Sequence, residues 1–218
     1  MLKLERGVTL IELMIGMLIG LLVVGIAVQM YVSTLGITRQ TTQTVRLNQE
    51  LRAISDLIVT DLRRAGYWSG ATSGVANPYS ELVSDGSGGG THVNVFNAPS
   101  GAANGCVVMA YENATPSTSE HFYGYRIAAG GLVEMLTATS YASGSFVDCT
   151  TSSATASWDA LSDFRTTNIE SLVFSLEPAV SWAESSSKSI EFSLIGSARD
   201  DAALRREITE QVRIRNEY

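Results

Sequence analysis

The hydrophobic positions of this 218-residue chain follow two patterns, and the first is a long apolar run near the N-terminus. From Val8 to Val32, 19 of 25 residues are apolar and Glu12 is the only ionisable side chain. At a rise of about 1.5 Å per residue, a helix of this length crosses the apolar core of a bilayer, which is about 30 Å thick. The run therefore predicts one membrane-spanning helix.

The second pattern is periodic and follows the apolar run directly. Leucine and isoleucine recur every three or four residues while charged and amide side chains occupy the other positions, as in an amphipathic helix. No proline interrupts residues 8–64, and Gly66 is a stop signal. We therefore predict one helix over 8–64, weakest in the threonine-rich stretch 38–44, with an apolar stripe that packs on a sheet. The stripe consists of Leu47, Leu51, Ile54, Leu57, Ile58 and Leu62.

The C-terminal two thirds of the chain read as loops and strands. Residues 69–105 are rich in Gly, Ser, Ala and Asn, which predicts loops rather than a separate domain. Segments 122–128 and 132–136 flank an Ala-Gly-Gly turn and predict a hairpin. A long helix followed by a mostly antiparallel sheet is an α+β architecture. The predicted strands cover 92–96, 106–111, 122–128, 132–136, 169–176, 189–195 and 207–215.

Charge and motif content narrow the classes of function. The chain has 15 basic and 22 acidic residues, and its net charge of −7 argues against nucleic-acid binding, which relies on Lys and Arg meeting phosphates. Only His92 and His121 are near-neutral bases, and neither lies in a nucleophile or metal motif. Asp200 and Asp201 are expected to form a charged turn rather than a calcium site. We therefore expect no catalytic residue, no metal and no cofactor.

The residues before the apolar run predict the orientation of the span. Lys3 and Arg6 outweigh Glu5, and the positive-inside bias places this leader in the cytoplasm and the rest of the chain on the far side. A cleaved secretory signal would have a shorter apolar core followed by small residues. A plain signal anchor accounts for the length but not for Glu12, because a carboxylate near the membrane centre costs about 2.5–3.5 kcal/mol.

A family resemblance accounts for both the leader and the carboxylate. Residues 7–13, GVTLIEL, resemble the type III signal of type IV prepilins, in which a charged leader ending in Gly precedes an apolar residue and T-L-I-E-L. In that family a membrane-embedded aspartyl prepilin peptidase cuts after the glycine and methylates the new N-terminal amine. The resemblance implies cleavage between Gly7 and Val8 and N-methylation of Val8. It also implies that Glu12 directs subunit assembly by neutralising the N-terminal amine of a neighbouring subunit.

Cys106 and Cys149 are the only cysteines. Two cysteines in a segment predicted to lie outside the cytoplasm most simply form a disulfide, because that compartment is oxidising. A loop of about 43 residues closed in this way is worth about 4 kcal/mol in the chain-entropy model. Two buried free thiols and a metal pair are the competing interpretations, and the metal pair lacks nearby ligands.

Two further segments are similar to the PilW family of minor pilins. Residues 61–67, DLRRAGY, resemble its D-L-R-x-A-G-Y/F stretch, and the final V-x-I-R-N occurs at 212–216. The resemblance implies the type IV pilin fold, which is α+β with a long N-terminal helix on a mostly antiparallel sheet. The cysteine pair of this family usually forms a disulfide. The implied domains are a prepilin leader (1–7), a transmembrane and filament-core helix (8–32), an amphipathic helix half (33–66) and a periplasmic β-rich head (67–218).

The function implied by this resemblance is structural. Such a minor pilin primes type IV pilus assembly, enters the pilus and is expected at or near its tip. The implied partners are other minor pilins, the major pilin, the prepilin peptidase and the inner-membrane assembly platform. The chain would span the inner membrane once before assembly and lie on the cell surface afterwards. The alternatives are minor pseudopilin J of a type II secretion system, an anchored enzyme, and an adhesive tip module that uses Tyr67, Trp68, Tyr79, Trp158 and Trp182.

Overall fold

The computed structural model of the chain forms two compact units, Met1–Val45 and Arg46–Tyr218. One helix, α1, covers Leu10–Arg64 and is 55 residues long. The helix predicted over 8–64 is thus confirmed except for its first two residues. The structure describes residues 7–70, 72, 74, 76–112, 122–138, 146–152, 156–177 and 188–215.

The threonine-rich stretch predicted to be the weakest part of the helix is helical throughout. Five threonine hydroxyls each donate a hydrogen bond of 2.9 Å to the carbonyl oxygen four residues earlier. These bonds satisfy the hydroxyl groups within the helix, although threonine itself has a low helix propensity. The five residues are Thr34, Thr38, Thr41, Thr42 and Thr44.

The described part of the second unit contains ten strands in antiparallel pairs. A five-stranded sheet has the order β3-β4-β5-β6-β7, a three-stranded sheet the order β10-β9-β8, and β1 pairs with β2. The strands are β1 (Val83–Ser84), β2 (Gly90–Thr91), β3 (Val93–Phe96), β4 (Cys106–Ala110), β5 (Phe122–Ala128), β6 (Leu132–Ala138), β7 (Ala156–Ala160), β8 (Thr167–Glu177), β9 (Ser189–Ala198) and β10 (Asp201–Arg213).

The predicted hairpin is the β5–β6 pair, in which Ala128 lies opposite Leu132. Gly130 and Gly131 in its turn have φ values of 91° and 76°, a conformation that favours glycine. All seven predicted strands are present, although their ends shift by a few residues. β1, β2 and β7 were not predicted, because two strands have only two residues each and β7 has no apolar alternation. β10 also begins six residues before the predicted strand.

The leucine stripe of α1 packs into the core of the second unit, as predicted. Leu51, Ile58 and Leu62 are fully buried, and Leu57 is half-buried against the same cluster. The continuous apolar run of β4 is explained by burial of all five of its residues in the interior of the five-stranded sheet. A long amphipathic helix packed against antiparallel sheets is the predicted α+β fold, which is confirmed.

A disulfide bond joins Cys106, the first residue of β4, to Cys149. It confirms the predicted pairing and closes a sequence separation of 43 residues. In the chain-entropy model this cross-link stabilises the second unit by about 4 kcal/mol. The free-thiol and metal-pair interpretations of these cysteines are therefore wrong.

Candidate functional site

The predicted cleavage site lies in a short non-helical segment. Gly7, Val8 and Thr9 precede the first residue of α1 and are exposed. A methyl group added at Gly7 would meet no atom of the described chain within 4 Å. Within the part of the chain that the structure describes, the residues on both sides of the Gly7–Val8 peptide bond are therefore exposed.

Thr9 and Glu12 form the start of α1. The Thr9 carbonyl oxygen accepts hydrogen bonds from the N–H groups of Glu12, at 3.1 Å, and Leu13, at 3.2 Å. The Thr9 hydroxyl oxygen lies 3.4 Å from the Glu12 backbone nitrogen and 3.4 Å from Glu12 Oε2. A hydroxyl residue followed three positions later by Glu is the capping-box pattern. A negative charge in the first turn also stabilises the helix by interacting with the positive end of its dipole. The T-x-x-E spacing is visible in the sequence, and the structure adds the contact between the Thr9 hydroxyl and Glu12.

The first unit exposes an apolar helix surface. Its large apolar side chains between Val8 and Val32 are 54–78% exposed. By length and composition this part of α1 can cross a membrane. A methyl group at Gly16, Gly20 or Gly25 would meet no atom of the described chain, so these glycines are not needed for packing within it. A shallow apolar groove runs along Met14, Met17, Leu18, Leu21, Leu22, Gly25, Ile26 and Gln29.

The segment resembling the PilW stretch joins the end of α1 to the five-stranded sheet. Asp61 is buried and accepts hydrogen bonds from the hydroxyls of Tyr111, at 2.9 Å, and Tyr125, at 2.5 Å. Gly66 has φ of 72°, as expected for a residue that ends a helix, and its N–H donates to the Ala110 carbonyl at 2.9 Å. The DLRRAGY segment therefore has a structural role at this end of the helix.

The Asp61 carboxylate is electrostatically unusual. Burial raises its pKa, while the hydrogen bonds from Tyr125 and Tyr111 and the charge of Arg64 act in the opposite direction. Burial and the adjacent carboxylate also raise the pKa of both tyrosines, so their hydroxyls remain donors at neutral pH. Because the pKa of Asp61 is higher in the folded chain, the part of the stability that depends on its protonation is full at acid pH and is lost as the pH rises through the pKa of the folded chain.

Asp61→Ala is expected to lower the free energy of unfolding by about 2–4 kcal/mol, because it leaves two buried tyrosine hydroxyls without an acceptor. Asp56→Ala is the matched control, since Asp56 is an exposed carboxylate on the same helix. Urea unfolding of the full chain in detergent micelles measures both losses. Equal losses in the two variants would show that the tyrosine contacts add nothing to stability.

The aromatic residues considered for a sugar-binding surface mostly pack inward. Tyr79 is buried, and Trp68 and Trp158 pack against the core, whereas Tyr67 is 44% exposed. Trp158 also donates its indole N–H to the Thr151 carbonyl at 2.9 Å. Three of the four described aromatics therefore contribute to the core. Trp182 and His121 lie outside the described residues.

Two other candidate sites from the sequence occupy ordinary structural positions. Asp200 lies in the turn between β9 and β10, and Asp201 begins β10, which matches the predicted charged turn. His92 lies between β2 and β3 and is 8% exposed. In the part of the chain that the structure describes, no group of three or more His, Cys, Asp or Glu side chains has metal-binding geometry.

His92 is expected to make the chain acid-sensitive. Burial, with a smaller effect from Lys188, lowers the pKa of His92 from 6.5 to about 4. The unfolded chain therefore takes up a proton more readily, and the folded chain should lose about 3 kcal/mol of stability as the pH falls from about 6.5 to about 4. His92→Leu should remove this part of the pH dependence of urea unfolding.

Lys188→Gln is the companion variant for His92. Removing that positive charge should raise the pKa of His92 slightly and reduce the acid-dependent loss by a smaller amount than His92→Leu does. If His92→Leu and the unchanged chain lose stability equally between pH 6.5 and pH 4, the histidine is not the source of the acid sensitivity.

Comparison with known protein families matches both the N-terminus and the second unit. Residues 2–28 match the prokaryotic N-terminal methylation motif. Residues 40–214, well over half of the chain, match the family described as prepilin peptidase-dependent protein B, PpdB. No significant match occurs among curated proteins or solved structures.

Both matches indicate a prepilin-type protein. A methylation motif joined to an apolar helix is consistent with an inner-membrane prepilin, and dependence on a prepilin peptidase implies that enzyme as a partner. Families of this pilin-like kind are typically structural rather than enzymatic. With its prepilin motif, its long helix on antiparallel sheets and the match over 40–214, the chain belongs to the PpdB family of prepilin peptidase-dependent proteins.

Proposed function

We propose that this chain is a minor pilin that is cut between Gly7 and Val8, primes type IV pilus assembly and enters the pilus. The observation that carries the proposal is the exposed apolar helix of the first unit, which begins within the matched N-terminal methylation motif. In this proposal residues 1–7 are the leader, 8–32 the membrane and filament-core helix, 33–66 the amphipathic half and 67–218 the periplasmic head.

The driving force for assembly is hydrophobic. Leaving the bilayer brings the apolar surface of 8–32 into contact with water, and no described part of the chain covers that surface. At about 25 cal/mol per Å² of apolar area, its exposure is too costly to persist. Packing against the equivalent helices of other pilins recovers this free energy. The filament is thus a second apolar environment for the same helix.

Glu12 sets the axial position of one subunit helix relative to its neighbour in the filament. After cleavage, the methylated amine of Val8 is a positive charge within an apolar environment. The Glu12 carboxylate of a neighbouring subunit neutralises it, which stabilises one axial position and disfavours the others. Thr9, whose hydroxyl is near the Glu12 carboxylate, orients the side chain at the start of the helix.

The mature N-terminus tests this proposal directly. Pili sheared from cells should contain the chain beginning at N-methylated Val8, identified by mass spectrometry of the N-terminal peptide. Cells that lack the prepilin peptidase should contain only the chain beginning at Met1. Any other mature terminus contradicts the proposal.

The PilW-type role is the narrower part of the proposal. It rests on the similarity of residues 61–67 and 212–216 to that family, and it adds the other minor pilins, the major pilin and the assembly platform as partners. Cross-linking of the chain in intact envelopes should capture other minor pilins. Recovery with a type II secretion pseudopilus instead would assign the chain to the minor pseudopilins.

A further inference from the structure

Among the described residues, β10 has one open edge. The strand has 13 residues, with a bulge between Asp201 and Arg205, and β9 is its only partner in the described part of the chain. No backbone hydrogen bond from the described residues reaches its other side. The opposite edge of the same sheet differs, because β8 donates from Phe174 to the Asn104 carbonyl and from Ile169 to the Gly131 carbonyl, both at 2.9 Å. An open edge of this length is a template for another strand.

The alternate residues of β10 form one row on the side that faces the core. In this row Val212 is buried and Ile208 packs against the core. Glu210 lies between these two residues and Arg206 lies next to Ile208, because every second residue of a strand is on the same face. Arg206 and Glu210 also border a polar groove that Arg52 of α1 lines. The regular part of the row reads Arg206, Ile208, Glu210 and Val212, and Leu204 lies in a bulge between Asp201 and Arg205.

This row is complementary to itself when it is reversed. In an antiparallel pair centred on Ile208, Arg206 lies opposite Glu210 twice, and Ile208 lies opposite Ile208 of the other strand. A shift of two residues places Ile208 opposite Glu210 or Arg206 instead. A shift of one residue turns the row of one strand to the opposite face. Only the register centred on Ile208 joins apolar to apolar and positive to negative residues.

We propose that β10 pairs antiparallel with β10 of a second copy of this chain, centred on Ile208, and joins the two three-stranded sheets into one. The two copies in such a pair are related by a two-fold axis. The part of α1 that packs in the second unit of one copy is therefore antiparallel to the same part of the other copy. Two paired copies therefore cannot lie side by side with parallel helices. This pairing goes beyond the proposed pilus role, and a chain must leave it before its helix packs in a filament.

Cysteine cross-linking tests the pairing and its register. Cys106 and Cys149 are joined to each other, so a cysteine introduced by I208C is the free thiol. Mild oxidation of the full I208C chain in detergent micelles should give a disulfide-linked dimer on a non-reducing gel, because the two 208 positions face each other. T209C is the register control, since position 209 faces 207, and it should cross-link much less.

A charge exchange in the I208C background tests the complementarity. R206E places two carboxylates opposite each other on both sides of the centre, so the cross-linked fraction should fall about tenfold at low salt. R206E combined with E210R should restore it. Circular dichroism of each variant checks that the fold is kept.

The outcomes separate this proposal from other occupants of the edge. Dimers of I208C that disappear with R206E and return with the double exchange support it. Equal cross-linking of I208C and T209C, no effect of R206E, or cross-links only to a different protein would each overturn it.

Discussion

A chain that carries Gly7→Leu is expected to keep its leader and to accumulate in the inner membrane without entering pili. The prepilin resemblance places the cleaved bond after Gly7, and a bulky side chain beside that bond would obstruct the peptidase. The structure leaves room for the change, because a methyl group at residue 7 would meet no atom of the described chain within 4 Å. Mass spectrometry of the membrane fraction measures the retained leader.

Gly16→Leu is the matched control for Gly7→Leu. Gly16 also has open space around it in the described chain, but it lies within α1 and not at the predicted cleavage site. This variant should be processed to a chain beginning at Val8, although its filament packing is expected to change. Normal removal of the leader from Gly7→Leu would contradict the assigned cleavage site.

Glu12→Gln is expected to insert into the membrane normally and to be cleaved, but to enter pili poorly. The amide keeps the size of the side chain and can still contact the Thr9 hydroxyl, but it cannot neutralise a neighbouring N-terminal amine. Leaving one charge of a buried pair uncompensated costs about 3–5 kcal/mol. That cost corresponds to a loss of more than about a hundredfold in incorporation. The measurement is the amount of chain in sheared pili relative to the amount in membranes.

Two control variants isolate the charge of Glu12. Glu12→Asp keeps a carboxylate on a shorter side chain and should retain part of the incorporation. Gln29→Leu removes a polar group elsewhere on the same exposed helix surface and should have little effect. Incorporation of Glu12→Gln at the normal level would remove the role assigned to this carboxylate.

Much of the fold could be predicted because its main signals are local. The helix was predicted to within two residues since an unbroken apolar and then periodic pattern is visible in consecutive residues. The β5–β6 hairpin followed from its glycine turn. β7 was missed because it is an edge strand with only its first residue buried, so its pairing with β6 rather than its own pattern makes it a strand.

The candidate site also contains residues that could be predicted from the sequence and residues that could not. Gly7, Val8 and Glu12 are close in the sequence and lie in one continuous motif, so its resemblance to the prepilin signal could be seen without a structure. The role of Asp61 was not predicted, because its partners Tyr111 and Tyr125 are 50 and 64 residues away along the chain. No local pattern relates a helical aspartate to two tyrosines that the strands bring beside it.

The sequence by itself determined the membrane-length apolar helix, the prepilin motif and the amphipathic stripe, because each is a pattern of neighbouring residues in one continuous segment. It also showed the two cysteines, but the disulfide bond between them was predicted from the oxidising compartment and not from the distance between the two residues. Only the tertiary structure decided that Asp61 is buried under two tyrosines, that His92 lacks a partner for Nε2 within the described chain, and that β10 has an open edge. The physical reason is that burial and strand pairing are set by residues far apart in the sequence, whose contacts form only when the sheets assemble around α1.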